Sequence, residues 1–192
     1  AVTAVEGAGL ILHAPTPRSL YRLRAALGLA PEAPAPSGAA APSGGRMSHC
    51  TVLVTGAAQG FGKGIAEAVL REGAALAVAD LNAETGEATA AEFNARYGAG
   101  SALFVPMDVT KSDSIEAGLD LCVRAFGGLE MLISNAGVLR AGGLDEIDEQ
   151  AFDLVTSVNY KAYFLCTRAA ARIMRRQHEW NPRHVMDIVQ IN

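Results

Sequence analysis

From Thr51 onward the chain alternates short apolar runs with longer amphipathic segments, and this alternation narrows its possible folds more than any other feature. Short runs rich in β-branched or small residues suit buried strands, while segments of ten or more residues with apolar positions at three- and four-residue steps suit helices. Strands and helices taken in turn build a parallel sheet covered on both faces. The pattern predicts strands at Thr51–Thr55, Ala75–Ala79, Ala102–Pro106, Met131–Ser134 and Val185–Ile191. Helices are predicted at Gly62–Glu72, Ala83–Tyr97, Ser112–Phe126 and Glu149–Gln177, the third behind a Thr110–Asp113 capping box. The expected fold class is α/β, with a doubly wound parallel sheet truncated after its fifth strand.

Upstream of Met47 the pattern fails. Pro31–Arg46 reads PEAPAPSGAAAPSGGR, with nothing large to bury, which predicts a flexible, partly extended linker. Before it, Gly9–His13 reads as a short strand and Thr16–Leu27 as a short helix, with Pro17 in its first turn and Gly28 as its stop. Thirty residues of this kind cannot build a core alone. Residues 1–30 are therefore either the tail of an upstream domain or an extension, residues 31–46 a linker, and residues 47–192 the folded domain. The first residue is Ala, not Met, so the chain reads as a fragment of a longer protein.

Composition excludes several classes of partner. A net charge of −4, with Lys and Arg scattered along the chain, offers no basic patch for a phosphate backbone, so no nucleic acid is expected. Apolar runs such as Ala74–Ala79 fall far short of the ~20 residues a membrane-spanning helix needs. Cys50, Cys122 and Cys166 are odd in number and lack a CxxC pair, which favours free thiols in a reducing, cytoplasmic setting over a disulfide framework. His13, His49, His178 and His184 show no ligand spacing, and no metal is expected.

The chemistry concentrates after the first predicted strand. Thr55-Gly56-Ala57-Ala58-Gln59-Gly60-Phe61-Gly62 runs from that strand into a helix, with glycines where the chain turns sharply. Bare backbone N–H groups at Gly56, Gly60 and Gly62, together with the positive end of the following helix, suit a pyrophosphate. Asp80 follows the second predicted strand, close to the spacing at which a carboxylate receives ribose hydroxyls in a dinucleotide fold, and its charge repels a 2′-phosphate. Neither Gln59 nor Leu81 supplies a cation, so NAD is expected rather than NADP. On the last helix Phe152, Val155, Asn159, Tyr163, Cys166, Ala170 and Ile173 recur at helical steps, leaving Asn159 on an otherwise apolar face.

The stretch from Thr51 to Asn192 resembles the short-chain dehydrogenase/reductase family, classical type. Its TGxxxGxG loop matches Thr55–Gly62, its NAG motif matches Asn135-Ala136-Gly137, and Asp108-Val109 and Asn159 match two further motifs. The resemblance implies a Rossmann-type doubly wound parallel sheet. It also implies cofactor contacts from Gly56, Gln59, Gly60, Phe61, Gly62, Asp80, Leu81, Asp108, Val109, Asn135, Ala136 and Gly137, with Asp108-Val109 at the adenine. By the same resemblance Asn159 is a catalytic residue that bends its helix and holds a water in a proton relay. The family's Ser, Tyr and Lys are expected beyond these residues: Tyr21, Tyr97, Tyr160 and Tyr163 are followed four positions later by Ala25, Ser101, Phe164 and Thr167, so no YxxxK occurs.

The loop from Gly137 to Gly142 and the closing Val189-Gln190-Ile191-Asn192 look similar to family members acting on polyols and sugar phosphates, and to aldolase–dehydrogenase fusions. Together these point to an NAD-dependent oxidoreductase of a secondary alcohol or its ketone, inactive as this fragment and a homo-oligomer through helix 149–177 when full length. The alternative is a non-catalytic dinucleotide-binding or sensing module, which the same loop and Asp80 would serve.

Overall fold

The computed structural model describes residues 2–5, 9–12, 24, 27 and 45–191. A two-stranded antiparallel sheet near the N-terminus pairs β1 (Val2–Val5) with β2 (Gly9–Leu12), Val2 opposite Leu12. The short strand expected at Gly9–His13 is β2. Its partner β1 was not expected, because four residues carry too little periodicity to announce a strand. The helix expected at Thr16–Leu27 lies outside the described residues except for Arg24, which is helical, and Leu27, whose N–H donates to the Arg24 carbonyl at 3.1 Å. Of the expected linker, residues 31–44 lie outside the described residues. Arg46 ends that stretch in a two-pronged ion pair with Glu72, its Nη2 at 2.9 Å from Oε1 and its Nε at 3.0 Å from Oε2.

The main sheet holds β3 (Thr51–Thr55), β4 (Ala75–Asp80), β5 (Ala102–Pro106), β6 (Met131–Ser134) and β7 (Asp187–Gln190), all parallel, in the order β5-β4-β3-β6-β7. This is the doubly wound Rossmann-type arrangement. Strand alternation assigns the two faces. Leu53, Ala75, Ala77 and Ala79 point to a core shared with α3 (Ser112–Phe126) and α5 (Ala162–Trp180). Val52, Val54, Leu76 and Val78 point to a second core under α1 (Gly60–Arg71) and α2 (Ala83–Tyr97). Fully buried Leu53, Phe93 and Phe126 anchor these layers, each worth roughly 1.5–3 kcal/mol of burial.

Several boundaries depart from the sequence reading for identifiable reasons. The final strand, expected at Val185–Ile191, is four residues long because its partner β6 offers only Met131–Ser134 for pairing. α1 begins at Gly60, two residues earlier than expected. No Thr110–Asp113 capping box forms: α3 has no side-chain cap, because the Thr110 hydroxyl donates to Asp108 Oδ1 at 2.6 Å. The long helix expected at Glu149–Gln177 is instead α4 (Glu149–Val155), a π-helical turn at Thr156–Lys161, and α5 reaching Trp180. Its apolar face is buried at Cys166 and Ala170 but not at Phe152, which is 64% exposed.

Candidate functional site

The order reverses between β3 and β6, whose chain-adjacent successors leave in opposite directions across the sheet. In a doubly wound fold the crevice beyond the strand ends at that point is where ligands collect. A cleft of about 610 Å3 opens there, lined by Gly56, Gln59, Phe61, Gly62, Asp80, Leu81, Asp108, Val109, Asn135, Ala136 and Gly137. Of the cofactor contacts expected from the sequence, all but Gly60 line this one cleft. Asn159 stands beside it rather than in its wall. Met107, Thr110, Val138, Leu154 and Val158 complete the lining and were missed. Met107 and Thr110 flank a motif already recognised, and Leu154 and Val158 share a helical step, so a signal for them existed.

The two strands at the switch point are tied together at their ends. The buried Thr55 hydroxyl accepts the N–H groups of Asn135 and Ala136, each at 3.0 Å. In return, Asn135 Nδ2 donates to the carbonyls of Thr55 at 3.0 Å and Gly56 at 3.3 Å. Close packing here demands glycine. A Cβ on Gly62 would overlap the Gly56 carbonyl oxygen and stand 2.6 Å from Asn135 Nδ2, and one on Gly56 would stand 2.9 Å from Ala136 Cα. Gly60 differs: its φ of +58° favours glycine, yet a Cβ there would meet nothing within 4 Å. Two of the three glycines thus serve contacts inside the protein, and only Gly60 faces open space. The first turn of α1 has no side-chain cap, leaving N–H groups without helical partners at the cleft.

Both Asp80 carboxylate oxygens receive backbone N–H groups at 3.0 Å, Oδ2 from Ala58 and Oδ1 from Asn82. The carboxylate therefore braces the glycine turn as well as facing the cleft, and each oxygen retains a further lone pair. Across the cleft Asp108 accepts the Thr110 N–H and hydroxyl on Oδ1, and its Oδ2 lies 3.0 Å from Lys111 Nζ. The Thr110 hydroxyl, then the Lys111 ammonium, hold its carboxyl below the usual carboxylate range against the opposing pull of partial burial. Asn159 sits in the π-helical turn and closes a two-way bridge with Val138: its Oδ1 accepts the Val138 N–H at 2.8 Å and its Nδ2 donates to the Val138 carbonyl at 2.9 Å. The side-chain amide is thereby committed to the loop that follows Gly137.

The family model for short chain dehydrogenases matches residues 50–181. The chain belongs to the short-chain dehydrogenase family. Among its relatives is the uncharacterized oxidoreductase YuxG of Bacillus subtilis, 34% identical over 138 residues, which span 72% of this chain and 20% of that protein. The sorbitol dehydrogenase of Cereibacter sphaeroides is 33% identical over 129 residues, 67% of this chain and 48% of that one. A solved structure, 3-ketoacyl-(acyl-carrier-protein) reductase from Brucella melitensis complexed with NADH, superposes with a TM-score of 0.67 at 25% identity, covering 73% of this chain and 56% of that one. The chain spans half or less of the length of these curated relatives. Among the described residues no helix is long and apolar enough to cross a membrane.

Proposed function

We propose that this chain is the dinucleotide-binding part of an NAD-dependent dehydrogenase that interconverts a secondary alcohol and its ketone. The observation that carries the reading is the single cleft at the switch point, where the glycine turn, Asp80-Leu81, Asp108-Val109 and Asn135–Gly137 converge. The residues present fit the cofactor. Gly60 leaves an open cradle beside an uncapped helix start, Asp80 offers a carboxylate in the cleft lining at the end of β4, and among the described residues no Lys or Arg lines the cleft. That charge pattern disfavours a 2′-phosphate and supports NAD over NADP. Bound NAD supplies the hydride acceptor.

The chain's own residues do the holding. The first turn of α1 receives the pyrophosphate, Asp80 the adenosine ribose, and Asp108-Val109 the adenine side. Asn135 keeps the two strand ends together, and Asn159 fixes the Val138 loop in the cleft lining. The proposal assigns proton transfer to a Tyr tuned by a Lys, and binding of the carbonyl oxygen to a Ser, all outside these 192 residues, with a polyol or sugar phosphate as substrate class, in keeping with the sorbitol dehydrogenase relative. It further assigns residues 47–192 to the nucleotide-binding domain, residues 31–46 to a linker, residues 1–30 to an upstream tail or extension, and helix 149–177 to self-association. Exposed Phe152, Tyr160 and Phe164 on that helix support the last point.

Calorimetric titration tests the reading. The chain should bind NADH more tightly than NADPH, and D80A should lose most of that preference. Equal affinity for both cofactors in the unaltered chain would overturn the NAD assignment. Binding without turnover of any polyol by the full-length protein would favour a sensing module instead.

A further inference from the structure

Ala58, in the middle of the glycine turn, is 4% exposed, and both of its backbone polar groups are bonded to side chains from other elements. Its N–H goes to Asp80, a residue the sequence already marks. Its carbonyl accepts the hydroxyl of Thr89 at 2.8 Å, from the middle of α2 and 31 positions away. Thr89 is itself 3% exposed. A threonine inside a helix is a poor helix former and ordinarily returns its hydroxyl to its own helix three or four residues back. Thr89 instead directs it to the turn.

The consequence follows from peptide geometry. The Ala58 carbonyl and the Gln59 N–H belong to one planar trans unit, so they point in opposite directions. Drawing the carbonyl toward α2 sends the Gln59 N–H away from α2, and Gln59 is a residue that lines the cleft. We propose that Thr89 is a positioning residue for recognition of a nucleotide diphosphate: through the Ala58 carbonyl it aims the Gln59 N–H at the phosphates. The inference rests on the reading of the cleft as a dinucleotide site. It goes beyond that reading by giving a buried residue outside the cleft control over the phosphate subsite alone. Asp80 still holds the Ala58 N–H when the hydroxyl is lost, so the adenosine end keeps its bracing.

The test compares ligands with and without phosphate on the 192-residue chain. NADH, ADP and adenosine are titrated against the unaltered chain, T89V and T89S, with T89A replacing T89V should the valine variant fail to fold. T89V should raise the dissociation constants of ADP and NADH roughly three- to tenfold, the worth of one hydrogen bond, and leave adenosine unchanged, while T89S restores ADP binding. Equal ADP affinity in T89V, parallel weakening of ADP and adenosine, or failure of T89S to restore binding would each overturn the proposal. Failure of the unaltered chain to bind NADH would remove the cleft reading beneath it, a result distinct from NADH binding that ignores Thr89.

Discussion

The two walls of the cleft are built in opposite ways. On the β3–β4 side, Gly56, Ala57 and Ala58 are each tied to the scaffold: Asn135 on the Gly56 carbonyl, the Ala79 carbonyl on the Ala57 N–H, and Asp80 and Thr89 on Ala58. On the far side, α4 and the π-helical turn bury no residue, Leu139 and Leu144 are 82% and 99% exposed, and the Val138 loop is held to the helix by Asn159. The difference separates two tasks. Under the proposed function, a wall that presents N–H groups to a phosphate gains from rigidity, whereas an exposed wall with no buried residue can be rebuilt without disturbing the core.

The sharpest way to break this comparison is a methyl group in the braced wall. Gly62→Ala places a Cβ against the Gly56 carbonyl oxygen, and overpacking there should cost about 2–3 kcal/mol and lower the thermal midpoint by several degrees. Gly60→Ala, two residues away, meets no atom and should cost about 1 kcal/mol from its left-handed backbone alone. Denaturant titration of both variants separates packing from backbone strain, and equal losses would contradict the assignment of Gly62 to internal packing.

A smaller effect is expected on the open wall. Asn159→Ala removes both bonds to Val138 at an exposed site, so global stability should fall by less than about 1 kcal/mol. Hydrogen exchange at Val138 should nonetheless accelerate markedly, while exchange at Ala57 and Ala58 stays slow. Acceleration on both walls would mean that they form one cooperative unit.

The smallest effect is acid sensitivity at Asp108. Its folded pKa is depressed, so its stabilisation is present above its ordinary pKa of about 3.9 and is lost as pH falls through the lower folded value. Between pH 5 and pH 3 the unaltered chain should therefore lose more stability than Asp108→Asn. Parallel acid profiles would show that the Thr110 and Lys111 contacts contribute nothing.

How much of this was legible in the sequence depended on whether a signal was local. α2 and α3 match their expected bounds to the residue, and each ends against a glycine with positive φ, Gly98 or Gly127, that closes the helix where the helical pattern stops. The cleft was legible because its lining comes from short motifs at strand ends. β7 was overread, since strand length is decided by the partner strand and not by its own apolar run. The resemblance anticipated a helix irregularity at Asn159, but its form as a π-helical turn was not read, because the helix was drawn as one unbroken three- and four-residue pattern. Thr89 was unreadable for a third reason: a mid-helix threonine announces nothing until folding carries it to Ala58.

Whether the switch-point cleft binds the dinucleotide is tested most directly by an NADH titration of the 192-residue chain followed residue by residue through its backbone amide resonances. Shifts confined to Gly56–Gly62, Asp80-Leu81, Asp108-Val109 and Asn135–Gly137 are expected, with the helix-packed ends of β3 and β4 unmoved. Shifts centred elsewhere, or none in a folded chain, would contradict the cleft as the nucleotide site.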